Sequence, residues 1–398
     1  MKKRILIVAN DMEIGGAERA LLGLLDAIDY SSYQVDLFLF RHTGPFLELI
    51  PSCTNLLPES IKYTCLAVPF INVIKKKCYG VAFGRIIGKL KAKRYLKKNH
   101  IVSQNSVELL YSLKYTKKHL PMITDQQYDL AIGFTTPYYV VAEKVDAKQK
   151  IVWIHTDYSR ENADKQEEAA AWNAYDKLVG VSNAVCDSFI KQYPHLAHKV
   201  MEMDNIVSAS IIRQQSSAFS VEKEMPDDGY IKLLSIGRFC YAKNFDNVPD
   251  ICKRVLNKGL KIKWYLIGYG NDEALIQNRI IELGVKDNVI ILGKKENPYP
   301  YIKRCDFYIQ PSRFEGRCVT VTEAQILNKP TIITNYSTST NQLRNGFDGV
   351  IVSMENEKCA NDVAQIIMNK TLQKELINNT KNNDYTNKNE IEKIYRLI

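Results

Sequence analysis

Residues 311–325 read PSRFEGRCVTVTEAQ, with Glu315 and Glu323 eight positions apart around Gly316, Arg317, Cys318, Val319 and Thr320. A carboxylate has no reason to bind phosphate, but it accepts two hydrogen bonds at once and so suits the vicinal hydroxyls of a ribose or hexose. Upstream, LLSIGRFCYAKNF (233–245) puts Gly237 and Arg238 at the end of an apolar run and Lys243 five residues after Arg238. Two cations from one loop suit a diphosphate, because arginine grips two oxygens while lysine acts as a point charge. Each such charge-assisted contact is worth ~1.5–3 kcal/mol net. VTVTEAQIL reads as a helix, so the free N–H groups of residues 317–321 at its start add an anion site. The combined chemistry is a diphosphate held by cations and amides, with carboxylates gripping sugar hydroxyls on either side. The plainer alternative is a solvated loop for Arg238 and Lys243, with Glu315 capping the helix and Glu323 facing solvent.

Positioning such groups needs strands. Apolar runs occur at 4–10, 34–40, 128–134, 150–156 and 177–182, then at 231–237, 263–270, 288–293, 306–312, 331–335 and 349–352. They are rich in Ile, Val, Leu and Tyr and mostly do not alternate with polar residues, the pattern of parallel strands buried on both faces. Helical stretches between them give repeated βα units, an α/β class. In open α/β sheets ligands sit at the carboxyl ends of strands, where both candidate loops fall. The series breaks at 206–229, a polar stretch with serines, a proline and DDG, which reads as a connector. The expected domains are 1–205 and 206–385. Residues 386–398 form a terminal helix whose Ile391, Ile394, Tyr395 and Ile398 make one apolar stripe that must be buried.

The 398 residues, 45% hydrophobic and 25% charged, suit two folded domains rather than a disordered or fibrous chain. No apolar run reaches the ~18 residues of a membrane span. The apolar N-terminal stretch stops after five residues at Asn10–Asp11, too short for a signal peptide, so an intracellular protein is expected. Nine scattered cysteines without a CxxC pair or zinc spacing read as free thiols. The net charge of +10 is uneven: residues 61–120 hold fourteen Lys/Arg against the single acid Glu108, a net +13, so the rest sums to −3. Within that segment Phe83, Ile86, Ile87 and Leu90 have helical spacing among basic residues, which predicts a basic amphipathic helix or helix pair inserted into the first domain.

At these residues the C-terminal half resembles the large family of retaining, nucleotide-sugar-dependent glycosyltransferases of GT-B fold. The family's E-x7-E motif, with EG at the first glutamate and EA at the second, reads here E-G-R-C-V-T-V-T-E-A. Its G-R-x-x-x-x-K reads Gly237-Arg238-F-C-Y-A-Lys243, and its G-x-G after the next strand reads Gly268-Tyr269-Gly270. The family often has Pro at the place of Cys318 and Gly at that of Asn244. The resemblance implies two Rossmann-like domains facing across a cleft, with the terminal helix crossing back to the first. It implies Arg238 and Lys243 on the donor diphosphate, Glu323 on the ribose and Glu315 on the transferred sugar. Backbone at Gly237, Gly268, Gly270, Gly316 and Arg317, and amides from Cys318 through Val319 to Thr320, would complete the donor site.

In the first half NDMEIGGAERAL (10–21) looks like the family's first loop, with Gly15 and Gly16 leading into a helix beside the donor. It is not a G-x-G-x-x-G, which argues against a dinucleotide site. KIVWIHTDY brings His155 to a strand end, where the family often has a histidine near the anomeric carbon; Asp157 is a weaker candidate.

The implied activity moves a hexose or N-acetylhexosamine, most simply from a UDP-sugar, to a saccharide or lipid-linked saccharide in cell-surface polysaccharide synthesis, with retention. No DxD-like pair stands in a fitting place, so no metal or other cofactor is expected. Competing readings are a GT-B sugar epimerase or phosphorylase, the latter without an evident pyridoxal-binding lysine motif, and a non-catalytic partner subunit, which need not keep Arg238, Lys243, Glu315 and Glu323 together. The basic segment suits peripheral contact with an anionic membrane, where each Lys or Arg contributes ~1 kcal/mol. That contact would put the protein at the inner face of the plasma membrane. A merely solvated helix is the alternative, and nucleic acid lacks an accompanying recognition motif.

Overall fold

Each of the eleven apolar runs becomes a strand in the computed structural model, which describes all residues except 1, 14, 101–104, 136–138, 157, 159–163 and 316–317. The chain divides into two units, residues 1–208 with 387–398, and residues 209–386. The first holds β1 (Lys3–Ala9), β2 (Tyr33–Leu39), β3 (Asn55–Leu56), β4 (Gln127–Gly133), β5 (Asp146–Ile154), β6 (Lys177–Gly180) and β7 (Val200–Glu202). They form one parallel sheet in the order β3-β2-β1-β4-β5-β6-β7. The second holds β8 (Ile231–Ile236), β9 (Ile262–Ile267), β10 (Val289–Gly293), β11 (Phe307–Gln310), β12 (Thr331–Thr334) and β13 (Val350–Val352), parallel in the order β10-β9-β8-β11-β12-β13. Both are α/β Rossmann-like sheets. In each, the strand order reverses once, between β1 and β4 and between β8 and β11, so the loops that leave those strands part and open a crevice.

Burial explains why the runs read so clearly. Ile5 to Ala9 in β1 and Leu233, Leu234, Trp264 and Leu266 in β8 and β9 are fully enclosed, as strands covered on both faces must be. The two unforeseen strands, β3 and β7, are the edges of the first sheet, two and three residues long. So short an edge carries no apolar run to detect.

Two segments differ from the sequence expectation. The stretch 206–229 is more than a connector: Ala209–Gln215 is helical, Val221 and Met225 are buried, and Glu224 accepts from Lys295 and Tyr301. Residues 61–120 do form helices, chiefly Tyr79–Lys98 against Asn105–Thr116. The apolar stripe, however, is not what packs. The inward face is Gly84, Gly88, Ala92 and Leu96, and a Cβ on Gly84 or Gly88 would come within 2.6 or 2.5 Å of Tyr115 O or Ser112 Cα. Small residues at every fourth position let the two backbones approach, which turns Phe83, Ile86 and Leu90 outward at 56%, 47% and 57% exposure. The predicted amphipathic helix is therefore corrected to one with a small-residue inner face and a mixed apolar and basic outer face.

The terminal helix Ile391–Tyr395 buries its stripe in the first unit. Ile391 and Ile394 are enclosed, and Tyr395 stacks on Tyr33 at 4.5 Å and accepts from the Asp29 N–H at 2.8 Å. Among the described residues, no helix is long and apolar enough to cross a membrane.

Candidate functional site

The loops leaving β8 and β11, neighbours at the switch point of the second sheet, carry the candidate cations and the first carboxylate. Lys243 Nζ donates to Glu315 Oε1 at 2.6 Å, with the side chains only 20% and 10% exposed. Burial opposes the Lys243 ammonium, but the neighbouring Cys318 and the charge and hydrogen bond of Glu315 outweigh it, and the lysine titrates above its ordinary value. Enclosure likewise pushes the Cys318 thiol up to about 11, against the pull of Lys243. Glu315 is anchored from below: Tyr308 donates to Gln310 Oε1 at 2.6 Å, Gln310 to Ser312 Oγ at 2.9 Å, and Ser312 to Glu315 Oε1 at 2.6 Å. This buried polar chain runs from inside β11 to the carboxylate, and a fully satisfied chain fixes one geometry. Lys243 has three donors, and Glu315 is its one side-chain partner among the described residues.

Arg238 is exposed and has no partner among the described residues, so its guanidinium is available to an anion. Gly268 lies so close to the carbonyl of Gly237, and Gly270 to that of Phe239, that a Cβ at either would clash. The G-x-G thus brings the loop after β9 against that after β8. Gly237 itself packs on the Lys243 stem, 3.3 Å from where its Cβ would lie.

The helix Val319–Ile326 opens at Cys318, whose N–H is taken by Gln342 Oε1 at 2.7 Å. The first amide of this helix end is therefore already taken by a side chain. Glu323 does not face solvent: it is buried, and its Oε1 accepts from Tyr299 at 2.8 Å. Gly316 and Arg317 lie outside the described residues.

Asn244 explains one departure from the family pattern. It has φ +59, the left-handed region where glycine is usual and asparagine is tolerated. Its side chain is buried, donates to Pro311 O at 2.8 Å and accepts from Asn247 at 2.7 Å. Arg313, which sequence reasoning missed, makes the second tie between the loops. Its guanidinium grips Asp246 with both Nη atoms at 2.9 and 2.7 Å, reaches Tyr241 O at 2.6 Å and lies over the Tyr241 ring. Nothing in the sequence marks Arg313 as different from a surface arginine.

In the first unit His155 directly follows β5 and lines a cavity of about 460 Å³ with Asn10, Asp11, Arg41, Thr135 and Trp153 among the other walls. Its Nε2 lies 2.9 Å from the Phe134 carbonyl, which can only accept, so Nε2 carries the proton and Nδ1 is left as acceptor. Burial pulls its pKa down, only partly offset by that bond, and keeps the ring neutral at pH 7. Asp11 pairs with Arg41 on the same wall, two residues the sequence gave no reason to single out. Gly15 caps and Gly16 begins the helix Gly16–Ala27, with the Glu18 carboxylate folded over Gly15. Burial raises the Glu18 pKa, and Asp11 and Glu13 add to it. Neither glycine lines the cavity, and Asp157 lies outside the described residues.

Comparison with known proteins adds to this geometry. The matched curated relatives include a Campylobacter jejuni N-acetylgalactosamine-N,N'-diacetylbacillosaminyl-diphospho-undecaprenol 4-alpha-N-acetylgalactosaminyltransferase, 28% identical over 128 residues, 31% of this chain and 34% of its own. They also include the Staphylococcus aureus capsular polysaccharide biosynthesis glycosyltransferase CapM, 23% identical over 174 residues, 42% and 46% of the two chains. In each case the match spans less than half of the relative's length. Among solved structures, HepE of Anabaena in complex with UDP-glucose superposes with a TM-score of 0.60 at 15% identity over 99% of both chains. TarM gives 0.61 at 13% identity over 100% of this chain and 99% of its own. These likenesses establish the fold, two parallel-sheet Rossmann-like domains of the GT-B type. Residues 217–383, nearly the whole of the second unit with its β8 and β11 loops, match the family described as glycosyl transferases group 1.

Proposed function

We propose that the chain is a retaining, metal-independent glycosyltransferase. It moves a hexose or N-acetylhexosamine from a UDP-sugar to a saccharide or lipid-linked saccharide in cell-surface polysaccharide synthesis. The observation that carries this reading is the part-buried Lys243–Glu315 pair at the β8/β11 switch point, with Arg238, which has no partner among the described residues, in the same loop as Lys243. The family matched by residues 217–383, the UDP-glucose in the HepE structure, and the diphospho-undecaprenol and capsular substrates in the relatives' names support it.

The reaction's demand is electrostatic. A nucleoside diphosphate is already a competent leaving group, and the task is to stabilise the charge that grows on it. Arg238, Lys243 and the amides of Val319 and Thr320 supply positive charge, Glu315 takes hydroxyls of the transferred sugar, and Glu323 takes those of the ribose. The cavity at His155 takes the acceptor, with neutral Nδ1 as a hydrogen-bond acceptor for a hydroxyl. UDP release from a panel of UDP-, GDP- and ADP-sugars, run in excess EDTA, tests the reading. UDP-sugar turnover that persists in EDTA is expected, and its collapse there would remove the metal-independent mechanism.

The outer face of residues 61–98 contacts an anionic membrane from the cytoplasmic side in this reading. Lys75, Lys76, Lys77, Lys89, Lys91 and Lys93 are exposed there beside Ile71, Ile74, Phe83 and Leu90, and mixed cations and apolar side chains bind such a surface by charge and insertion together. The expected result is cosedimentation with phosphatidylglycerol vesicles at low salt and release at high salt. No binding at low salt would end the membrane assignment.

A further inference from the structure

Two of the nine cysteines meet in the basic insertion. Cys65 is buried and Cys78 half-buried, and their side chains share a hydrogen bond. The backbone brings them to one point: the Ile61 carbonyl accepts the Cys65 N–H at 3.1 Å and has the Cys78 Sγ 4.0 Å away. Each partner is also held from outside the pair. Next to Cys65, Thr64 donates to Phe40 O at 2.8 Å, just after β2, and Tyr63 donates to Pro121 O at 2.6 Å. Cys78 directly precedes the helix Tyr79–Lys98, and Arg85 on that helix donates to the carbonyls of Cys65 at 3.1 Å and Val68 at 2.7 Å. The Cys78 N–H donates to Val73 O at 3.2 Å, and its carbonyl accepts from Ala82 at 3.0 Å. The fold thus sets the two sulfurs side by side, with residues 66–77 looped between them. That loop presents Phe70, Ile71, Ile74 and Lys75 to Lys77 to solvent, while its Leu66 and Ala67 wall the His155 cavity.

The two thiols are unequal. Burial, then the hydrogen bond and charge of Cys78, push the Cys65 thiol up to about 11, against the pull of Lys76 and Arg85. Cys65 therefore stays protonated at neutral pH, whereas Cys78 reaches the surface directly after three lysines. That division suits an accessible attacking thiol and a sheltered resolving one. We propose that Cys65 and Cys78 form a reversible dithiol–disulfide site, oxidised by a small-molecule disulfide, that locks the base of the loop 66–77. Cys78, as thiolate, attacks one sulfur of the reagent and expels the other as a thiol. Its share of the rise at Cys65 is then gone. Cys65 gives up its proton and attacks Cys78 Sγ, expelling the second thiol. One S–S bond breaks and one forms. The two protein sulfurs lose two electrons, the reagent gains them, and the two protein protons end on the released thiols.

The test equilibrates the full chain in buffers of reduced and oxidised glutathione, followed by acid quench, alkylation and tryptic mapping without reductant. The expected product joins peptides 63–75 and 78–85, which trypsin otherwise separates at Lys75 to Lys77, and reduction releases them. The equilibrium constant for closing the bond should be at least ~10-fold larger in the native chain than in guanidinium chloride, a potential about 30 mV more reducing. Cleavage of the native chain at Lys75 to Lys77 should slow at least ~5-fold on oxidation, because the closed loop opens less readily. Cys78→Ser should abolish the joined peptide, and Cys53→Ser, at an exposed cysteine outside the pair, should leave it unchanged. No joined peptide from the native chain, or equal constants for the folded and unfolded chains, would overturn the site. A joined peptide with unaltered cleavage would overturn the lock. None of these readouts involves nucleotide-sugar turnover, so the inference stands or falls apart from the transferase reading.

Discussion

Lys243→Ala and Arg238→Ala are each expected to lower kcat/KM for the nucleotide sugar by at least ~100-fold, about 2.7 kcal/mol of transition-state stabilisation. The size follows from their work on charge that develops on the leaving diphosphate, where loss of one preorganised donor costs two to three decades. The two variants differ in a way that guards the interpretation. Arg238 is exposed and unpaired among the described residues, so its removal should leave the melting temperature unchanged. Lys243 is part-buried against Glu315, and its removal leaves a part-buried carboxylate held by Ser312 and Gln310. Some stability should be lost with it, because breaking one side of a buried pair strands the other charge. A rate loss in Arg238→Ala without a stability loss identifies a chemical role. Unchanged kinetics in both variants would remove these residues from the site.

The second large effect is structural. Asn244→Ala should lower the calorimetric midpoint of the second unit by roughly 5–10 °C, from a loss of about 2–3 kcal/mol. Alanine is strained by about 1–2 kcal/mol in the left-handed conformation that Asn244 adopts, and the Pro311 carbonyl loses its donor in a buried setting. Asn244→Gly separates the two causes, since glycine accepts the backbone but supplies no side-chain bonds. It should recover about half of the loss. If alanine and glycine behaved alike and mildly, the tie between the β8 and β11 loops would not be what positions Lys243 beside Glu315.

Much of the site was legible because its chemistry is local. A strand end, a glycine and two cations five residues apart lie within one short stretch, as do the two glutamates with the start of a helix between them. Parallel strands buried on both faces announce themselves as unbroken apolar runs, so the two sheets were legible too, apart from edge strands too short to carry such a run. The terminal helix was visible in its stripe, and its need for a burying surface followed from that stripe alone.

What the chain order could not reveal is which distant residues meet. The Lys243–Glu315 bond, the Tyr308–Gln310–Ser312 chain beneath it and the Arg313 clamp on Asp246 join segments that the strand order makes neighbours. Arg313 reads as any surface arginine until the loop after β8 lies beside it. The insertion shows the same limit from the other side: its apolar residues have the spacing of a buried stripe, yet Gly84 and Gly88 pack more closely and send Phe83 and Leu90 outward. Periodicity fixes which side chains share a helix face, because that depends on 3.6 residues per turn. Which face is buried depends on the fit between two surfaces, and only the folded chain decides it.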